Sequence, residues 1–213
     1  MVTVAFYSKQ KQTILTQTHS LFAKHGIQTL TLDDISKQTK IPLAEIHEHF
    51  TNKDALVEQS LHNLFAGIKK ENEFIKEFYM NPLDKLVYSA YNLMCQLFKF
   101  GSDFFYDLKR YFPDIFREYR EFVKQHFFAE QEEFIQESKN KGLILSSIKS
   151  SFIFELFSKL MNALLFENNV SKKQNFIELF YHAIILKIRN FLTNTGEEVL
   201  SKNKISYLLS KKG

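Results

Sequence analysis

The chain has 213 residues, room for one or two domains. With 6 Gly and 3 Pro it has too few chain reversals for a turn-rich all-β fold or a flexible linker; 45% hydrophobic residues, 23 Phe among them, exclude disorder; one Cys excludes a disulfide framework and a thiolate zinc site. The formal charge of +4 belongs to the tail, because residues 1–60 and 61–200 each sum to zero and the excess sits on Lys202, Lys204, Lys211 and Lys212. That tail reads as a solvated terminus or as a weak attractor of polyanions. No apolar run reaches the length of a membrane span, and the opening MVTVAFYSKQ lacks the pattern of a secretory signal, so a cytoplasmic, all-α protein without a membrane partner is expected.

The first element is a helix over 9–25. Ile14, Leu15, Thr18, Leu21 and Phe22 form its apolar stripe, and Lys24, His25 and Gly26 signal its end. Thr31 and Asp34 then have capping-box spacing at the head of a short second helix through Leu32, Ile35 and Thr39. Pro42 forces Ile41 towards extended backbone and opens a third, short helix whose inner face is Leu43, Ile46 and Phe50. Asn52 caps a long fourth helix over 53–79. Asn81-Pro82 starts another at 83–100, broken by Gly101-Ser102 before a short helix at 103–111. Pro113 begins a long helix to about 140. Gly142 marks a loop with Leu143, Ile144 and Leu145 tucked in. Helices follow at 150–167 and 172–193, with Ser171 as N-cap of the latter, and a weakly amphipathic stretch at 197–210 closes the chain.

A long helix followed by two short ones across a tight turn is a helix-turn-helix layout, in which the second short helix enters the DNA major groove. The stretch ILTQTHSLFAKHGIQTLTLDDISKQTKIPLAEIHEHFTNKDAL, residues 14–56, resembles the DNA-binding domain of TetR-family transcriptional regulators. The resemblance rests on Leu21-Phe22-Ala23 before Gly26, Thr31 with Asp33-Asp34-Ile35, Ile41, Ile46, His49-Phe50, Asn52-Lys53-Asp54 and Leu56. Asp107-Leu108 followed by Phe112-Pro113 also looks like an element of some members. The chain departs from the family pattern at Lys40, where Gly is frequent, at Pro42, where a hydroxyl cap is usual, and at Leu43, Ala44-Glu45 and His47.

The resemblance implies an N-terminal helix-turn-helix domain (1–52) and a larger helical domain (53–213) that binds a ligand and dimerises. It also implies a homodimer on an inverted-repeat DNA operator, and a small-molecule effector that changes the spacing of the recognition helices, usually releasing DNA. Lys37, Lys40 and Lys53 with Thr31 are candidate phosphate contacts, or simply solvated side chains; His49 joins the phosphate contacts through the family pattern. Ala44, Glu45, His47 and Glu48 point outward from the third helix, where Ala44 can meet a thymine methyl and a Glu can accept from cytosine N4. Glu45 is equally explained as a carboxylate at a helix start.

Phe74, Phe78, Tyr91, Phe104, Phe105, Phe127, Phe128 and Phe157 either line an aromatic ligand cavity or pack the core, and in the first case the effector is apolar or amphipathic. Phe152, Leu156 and Leu160, with Phe176, Leu179, Phe180, Ala183 and Leu186, supply more apolar surface than one core side needs, as a symmetric four-helix dimer contact requires. No cofactor or metal is expected. His47, His49 and Glu45 point to different faces, and His19, His25, His62, His126 and His182 show no ligand spacing. Cys95, among Leu93, Met94, Leu97 and Phe98, reads as a core thiol. A phosphate-cradling Gly-rich loop and a nucleophile elbow are both missing, so an enzyme has no supporting residue. The leading reading is a ligand-responsive repressor; the alternative is a helical ligand-binding or protein-interaction module whose helix-turn-helix has lost specific DNA binding.

Overall fold

The computed structural model describes residues 8–166 and 176–203. They form α1 (Lys9–His25), α2 (Leu32–Thr39), α3 (Leu43–His49), α4 (Lys53–Phe78), α5 (Pro82–Tyr111), α6 (Pro113–Phe122), α7 (Ala129–Asn140), α8 (Ser150–Phe166), α9 (Phe176–Phe180), α10 (Leu186–Arg189) and α11 (Asn194–Lys202). Two π-helical turns, Val123–Phe128 and Tyr181–Ile185, join α6 to α7 and α9 to α10, so each pair continues as one helical rod with a local bulge. Among the described residues the only β feature is an antiparallel bridge between Ile144 and Leu192.

The helix starts follow local chemistry. Ser8 caps α1 by accepting from Lys11 N–H at 3.2 Å, Asn52 Oδ1 accepts from Ala55 N–H at 2.9 Å, and Thr193 Oγ1 accepts from Gly196 N–H at 3.1 Å. The Thr193 cap begins α11 at Asn194, three residues before the expected start; the expected stretch beyond 203 and the Ser171 cap lie outside the described residues. Gly101 breaks α5 as the sequence indicates, with φ 74° and ψ 162°. A Cβ there would stand 3.1 Å from the Ala23 carbonyl oxygen, so the break also lets the two backbones approach.

Packing divides the chain into two units: residues 1–70 with 95–122, and 71–94 with 123–213. This is a different division from the expected boundary at 52/53 between a helix-turn-helix domain and the rest. The first unit is built on Ile14, Leu15, Phe22, Ile35, Ile46 and Phe50, with a run of rings from α5 and α6. Phe22 meets Phe104 at 5.9 Å, Phe104 meets Phe105 at 5.2 Å, Phe105 meets Tyr119 at 5.2 Å, and Phe65 stacks on Phe122 at 3.9 Å.

The second unit holds a polar chain inside an apolar frame. Asn72, Asn92, Gln131 and Ser89 are buried. Asn92 Nδ2 donates to Asn72 Oδ1 at 2.9 Å, Asn72 Nδ2 donates to Glu130 at 2.8 Å, and Lys76 Nζ reaches the other Glu130 oxygen at 3.0 Å. Gln131 Nε2 donates to Ser89 Oγ at 2.6 Å. At the far end, Leu145 N–H bonds Phe191 C=O and Thr193 N–H bonds Leu143 C=O, which ties the 142–145 loop to the start of α11. Leu143 and Ile144 are tucked in as expected, whereas Leu145 is exposed because the bridging strand turns it outward.

Candidate nucleic-acid interface

α2 and α3 are too short to be stable alone, so their ends are fixed by side chains. Thr31 Oγ1 accepts from Asp34 N–H at 3.1 Å while the Asp34 carboxylate accepts from Thr31 N–H at 2.9 Å, the reciprocal box expected from the sequence. The Thr31 hydroxyl also donates to that carboxylate at 2.5 Å, and this bond first, with the Thr31 N–H second, holds the Asp34 carboxyl below its ordinary pKa. The Thr31 hydroxyl and N–H are therefore engaged in the cap.

The turn between the helices is made by Lys40 in the left-handed region, φ 60° and ψ 22°. It is the only non-Gly residue with positive φ among those described. The turn keeps the geometry that Gly usually supplies and carries the strain of a Cβ instead. Two hydroxyls hold it: Ser36 Oγ donates to Ile41 C=O at 2.7 Å, and Thr39 Oγ1 donates to Ile35 C=O at 2.7 Å while accepting from Ile41 N–H at 3.3 Å. Neither Ser36 nor Thr39 stood out in the sequence, because a hydroxyl in a short helix gives no signal until the turn beyond it is known. Pro42 makes no side-chain cap for α3, in line with its lack of a hydroxyl.

α3 buries Ile46 and the following Phe50 and leaves Ala44, His47 and Glu48 exposed; Glu45 and Leu43 are half-buried. The exposed face is the one a major groove would meet. Lys37 and Lys40 are exposed beside it. Lys53 is half-buried: its Nζ lies 3.4 Å from the Gln28 carbonyl, and burial lowers its pKa against the pull of Asp107, Asp54 and Asp34. His49 is also half-buried, its Nε2 enclosed without a partner and its ring edge-on to Phe50 at 6.4 Å. A phosphate contact from His49 thus falls to Nδ1, the other ring nitrogen.

The α1–α2 loop is set by a residue from 80 positions away. Asp107 Oδ2 accepts from Ile27 N–H at 2.7 Å and from Gln28 N–H at 2.8 Å. Gly26, with φ 75°, makes room for that oxygen: a Cβ would stand 2.7 Å from it. The sequence marked Asp107 only by its likeness to a family element, and its role emerges from the packing of α5 against the loop.

Residues 14–59 match the family described as bacterial regulatory proteins, tetR family. The chain is also 36% identical over 93 residues to the HTH-type negative transcriptional regulator IcaR of the biofilm operon icaADBC of Staphylococcus epidermidis; the match covers 44% of this chain and 46% of that protein, so the chain spans about half the length of this curated relative. Residues 14–59 thus form a TetR-type helix-turn-helix segment. The fold extends the likeness beyond the N-terminal segment. It aligns with the ketosteroid transcriptional regulator KstR2 of Mycobacterium tuberculosis over 91% of this chain and 100% of that one, with TM-score 0.64 and 13% identity. It aligns with reduced E. coli NemR over 87% and 98%, with TM-score 0.68 and 13% identity.

The second unit contains an apolar cleft of about 40 Å³. Leu86, Ala90, Phe157, Leu160, Ile184 and Ile188 are among its walls, with Gln131 and Lys187 as polar members. Of the eight aromatic residues singled out by sequence, Phe157 lines it. Phe127 and Phe128 stand behind, ringed on Phe157 at 5.4 and 6.4 Å, and Tyr91 meets Phe180 edge-on at 5.1 Å. Phe104 and Phe105 are fully buried in the first unit. Phe74 and Phe78 are exposed and stack on each other at 5.3 Å. The aliphatic walls were missed because their spacing is that of any core helix.

The residues expected at a dimer contact separate similarly. Phe152 is 54% exposed and Leu186 36% exposed. Leu156 and Leu160 are half-buried at the cleft, Leu179 is half-buried, and Phe180 is fully buried within its own unit. The side chains of Phe176 and Ala183 lie outside the described residues. Cys95 is half-buried rather than fully enclosed. No helix among the described residues is long and apolar enough to cross a membrane.

Proposed function

We propose that the protein is a homodimeric, cytoplasmic transcriptional repressor that binds an inverted-repeat operator through α3 and is released by an apolar or amphipathic small molecule. The observation that carries this reading is the build of α2–turn–α3. A reciprocal cap, a left-handed Lys40 and two hydroxyls fix a short helix whose outer face is left to solvent. Such local order on a helix that buries only Ile46 and Phe50 serves presentation rather than core formation. Ala44, Glu45, His47 and Glu48 then meet bases, Lys37, Lys40, Lys53 and His49 lie on the phosphate side, and Thr31, engaged in the cap, holds the start of α2 there. The negative regulation named for the IcaR relative supports repression. The apolar walls of the cleft favour an effector of matching character, with Gln131 or Lys187 orienting its polar end. Phe152 and Leu186 supply the outermost apolar groups of a dimer contact.

The test uses the purified full chain. Selection from random duplexes, followed by fluorescence anisotropy at fixed salt, should return an inverted repeat bound at least a thousandfold more tightly than scrambled DNA. Equal affinity for selected and scrambled duplexes would leave the alternative, a helical module without specific DNA binding, in its place. Phe152→Glu should shift the sedimenting species from dimer to monomer and weaken operator binding with it.

A further inference from the structure

Three acid-base side chains of the first unit converge. Glu58 and His62 lie one helical turn apart on α4, and Glu118 comes from α6. Their ligand atoms all lie within 4.8 Å of one another, and His62 Nε2 is 2.8 Å from Glu118 Oε2. Among the described residues neither carboxylate has a Lys or Arg partner, so two negative groups share one imidazole. His62 is 31% exposed and Glu118 45%, which leaves the cluster open to solvent on one side.

We propose that Glu58, His62 and Glu118 bind one divalent transition-metal ion, of the zinc or cobalt type. One imidazole and two carboxylates from two helices are a donor set for such an ion, with water completing the shell. In a tetrahedral site with bonds of about 2.1 Å the donors stand about 3.4 Å apart, so the His62–Glu118 pair opens slightly and Glu58 closes by about 1 Å. The half-exposed Glu58 side chain can make that movement by a rotamer change. The frame beneath is rigid. Phe65, three residues after His62, stacks on Phe122, four residues after Glu118, at 3.9 Å and 7°, and Lys69 lies over the same Phe122 ring at 5.7 Å. The two helices are thus held in register one turn from the donors, so the ion would meet a largely formed site. The sequence showed no ligand spacing because Glu118 is 56 positions from His62 and Glu58-x-x-x-His62 alone is an ordinary helix surface. The site stands independently of the DNA-binding reading.

The experiment titrates chelator-treated full-length protein with Co²⁺, followed by ligand-field absorption, and with Zn²⁺, followed by calorimetry. One equivalent should bind, and Zn²⁺ should displace Co²⁺. Glu58→Gln and His62→Ala should each weaken binding at least tenfold, and Zn²⁺ should raise the melting temperature of the wild type but not of Glu58→Gln. His182→Ala, an exposed histidine of the other unit, should bind as the wild type does. Circular dichroism checks that each variant is folded. Zn²⁺ affinity unchanged in folded His62→Ala, or no binding of either ion at millimolar concentration, would overturn the proposal and leave a His–Glu ion pair.

Discussion

Removing the Asp107 carboxylate should loosen the entry to the helix-turn-helix without touching its recognition face. Asp107 Oδ2 holds two backbone donors, Ile27 N–H at 2.7 Å and Gln28 N–H at 2.8 Å. Ile27 is fully buried and Gln28 exposed, so the two bonds are unequal. In Asp107→Ala the Ile27 donor loses its partner where water reaches poorly, which costs about 1–3 kcal/mol, whereas the Gln28 donor turns to water for about 0.5–1 kcal/mol. The sum is about 1.5–4 kcal/mol. Asp107→Asn keeps an oxygen at the same place and loses only the charge assistance, about 1 kcal/mol. Urea unfolding followed by far-ultraviolet circular dichroism at pH 7 should rank wild type above Asn above Ala.

Gly26 gives a second handle on the same contact. Gly26→Ala places a methyl 2.7 Å from Asp107 Oδ2 on a backbone with φ 75°. In the wild type it incurs both the clash and the backbone strain; in Asp107→Ala only the strain remains. The double variant should therefore be more stable than the two single losses added together predict, by about 1 kcal/mol. Strict additivity, or an Asp107→Ala loss below 0.5 kcal/mol, would refute the clamp.

Lys40→Gly should stabilise the protein by about 0.5–1 kcal/mol, the left-handed penalty of a Cβ less the extra chain entropy of Gly, seen as a higher urea midpoint. Thr31→Val removes the hydroxyl of the capping box and should cost about 1 kcal/mol in the same assay. Because the Asp34 carboxyl is held below its ordinary pKa, its share of that stability is present above the ordinary carboxylate range and is lost as the pH falls through its depressed value, a dependence that Thr31→Val should weaken. Burial lowers the His19 pKa from 6.5 to about 4, and its Nε2, the atom that would take the proton, is enclosed even though the residue keeps some surface. The unfolded chain therefore binds the extra proton between those values. Wild-type stability should be complete above pH 6.5 and fall towards pH 4 by roughly 1.4 kcal/mol per pH unit, and His19→Asn should lack that slope. Lys53→Ala should weaken binding to all duplexes alike and reduce the salt slope of affinity by about one unit, as measured by anisotropy across a salt series.

The helices of this protein were legible in the sequence because their determinants are local. Thr31 and Asp34 are three residues apart, Ile46 and Phe50 four, and Gly26, Pro82 and Pro113 mark their ends whatever the rest of the chain does. The helix-turn-helix was legible for the same reason: its whole pattern lies within residues 14–56. The π-helical turns at 123–128 and 181–185 left no mark, since an added residue in a helix is a compromise between faces packed on different neighbours. Tertiary structure also decided which of two equivalent aromatic residues met solvent. Phe104 and Phe74 both sit on helices with good apolar spacing, yet one is enclosed and the other 53% exposed, because burial depends on what lies opposite and spacing reports only which residues share a face. The Asp107 clamp and the Glu58–His62–Glu118 cluster belong to the same class. The clamp brings the Asp107 carboxylate within 3 Å of a backbone N–H 80 positions away and the cluster brings His62 within 3 Å of Glu118, 56 positions on; distances of that kind are set by how helices pack, which the local order of residues along the chain does not encode.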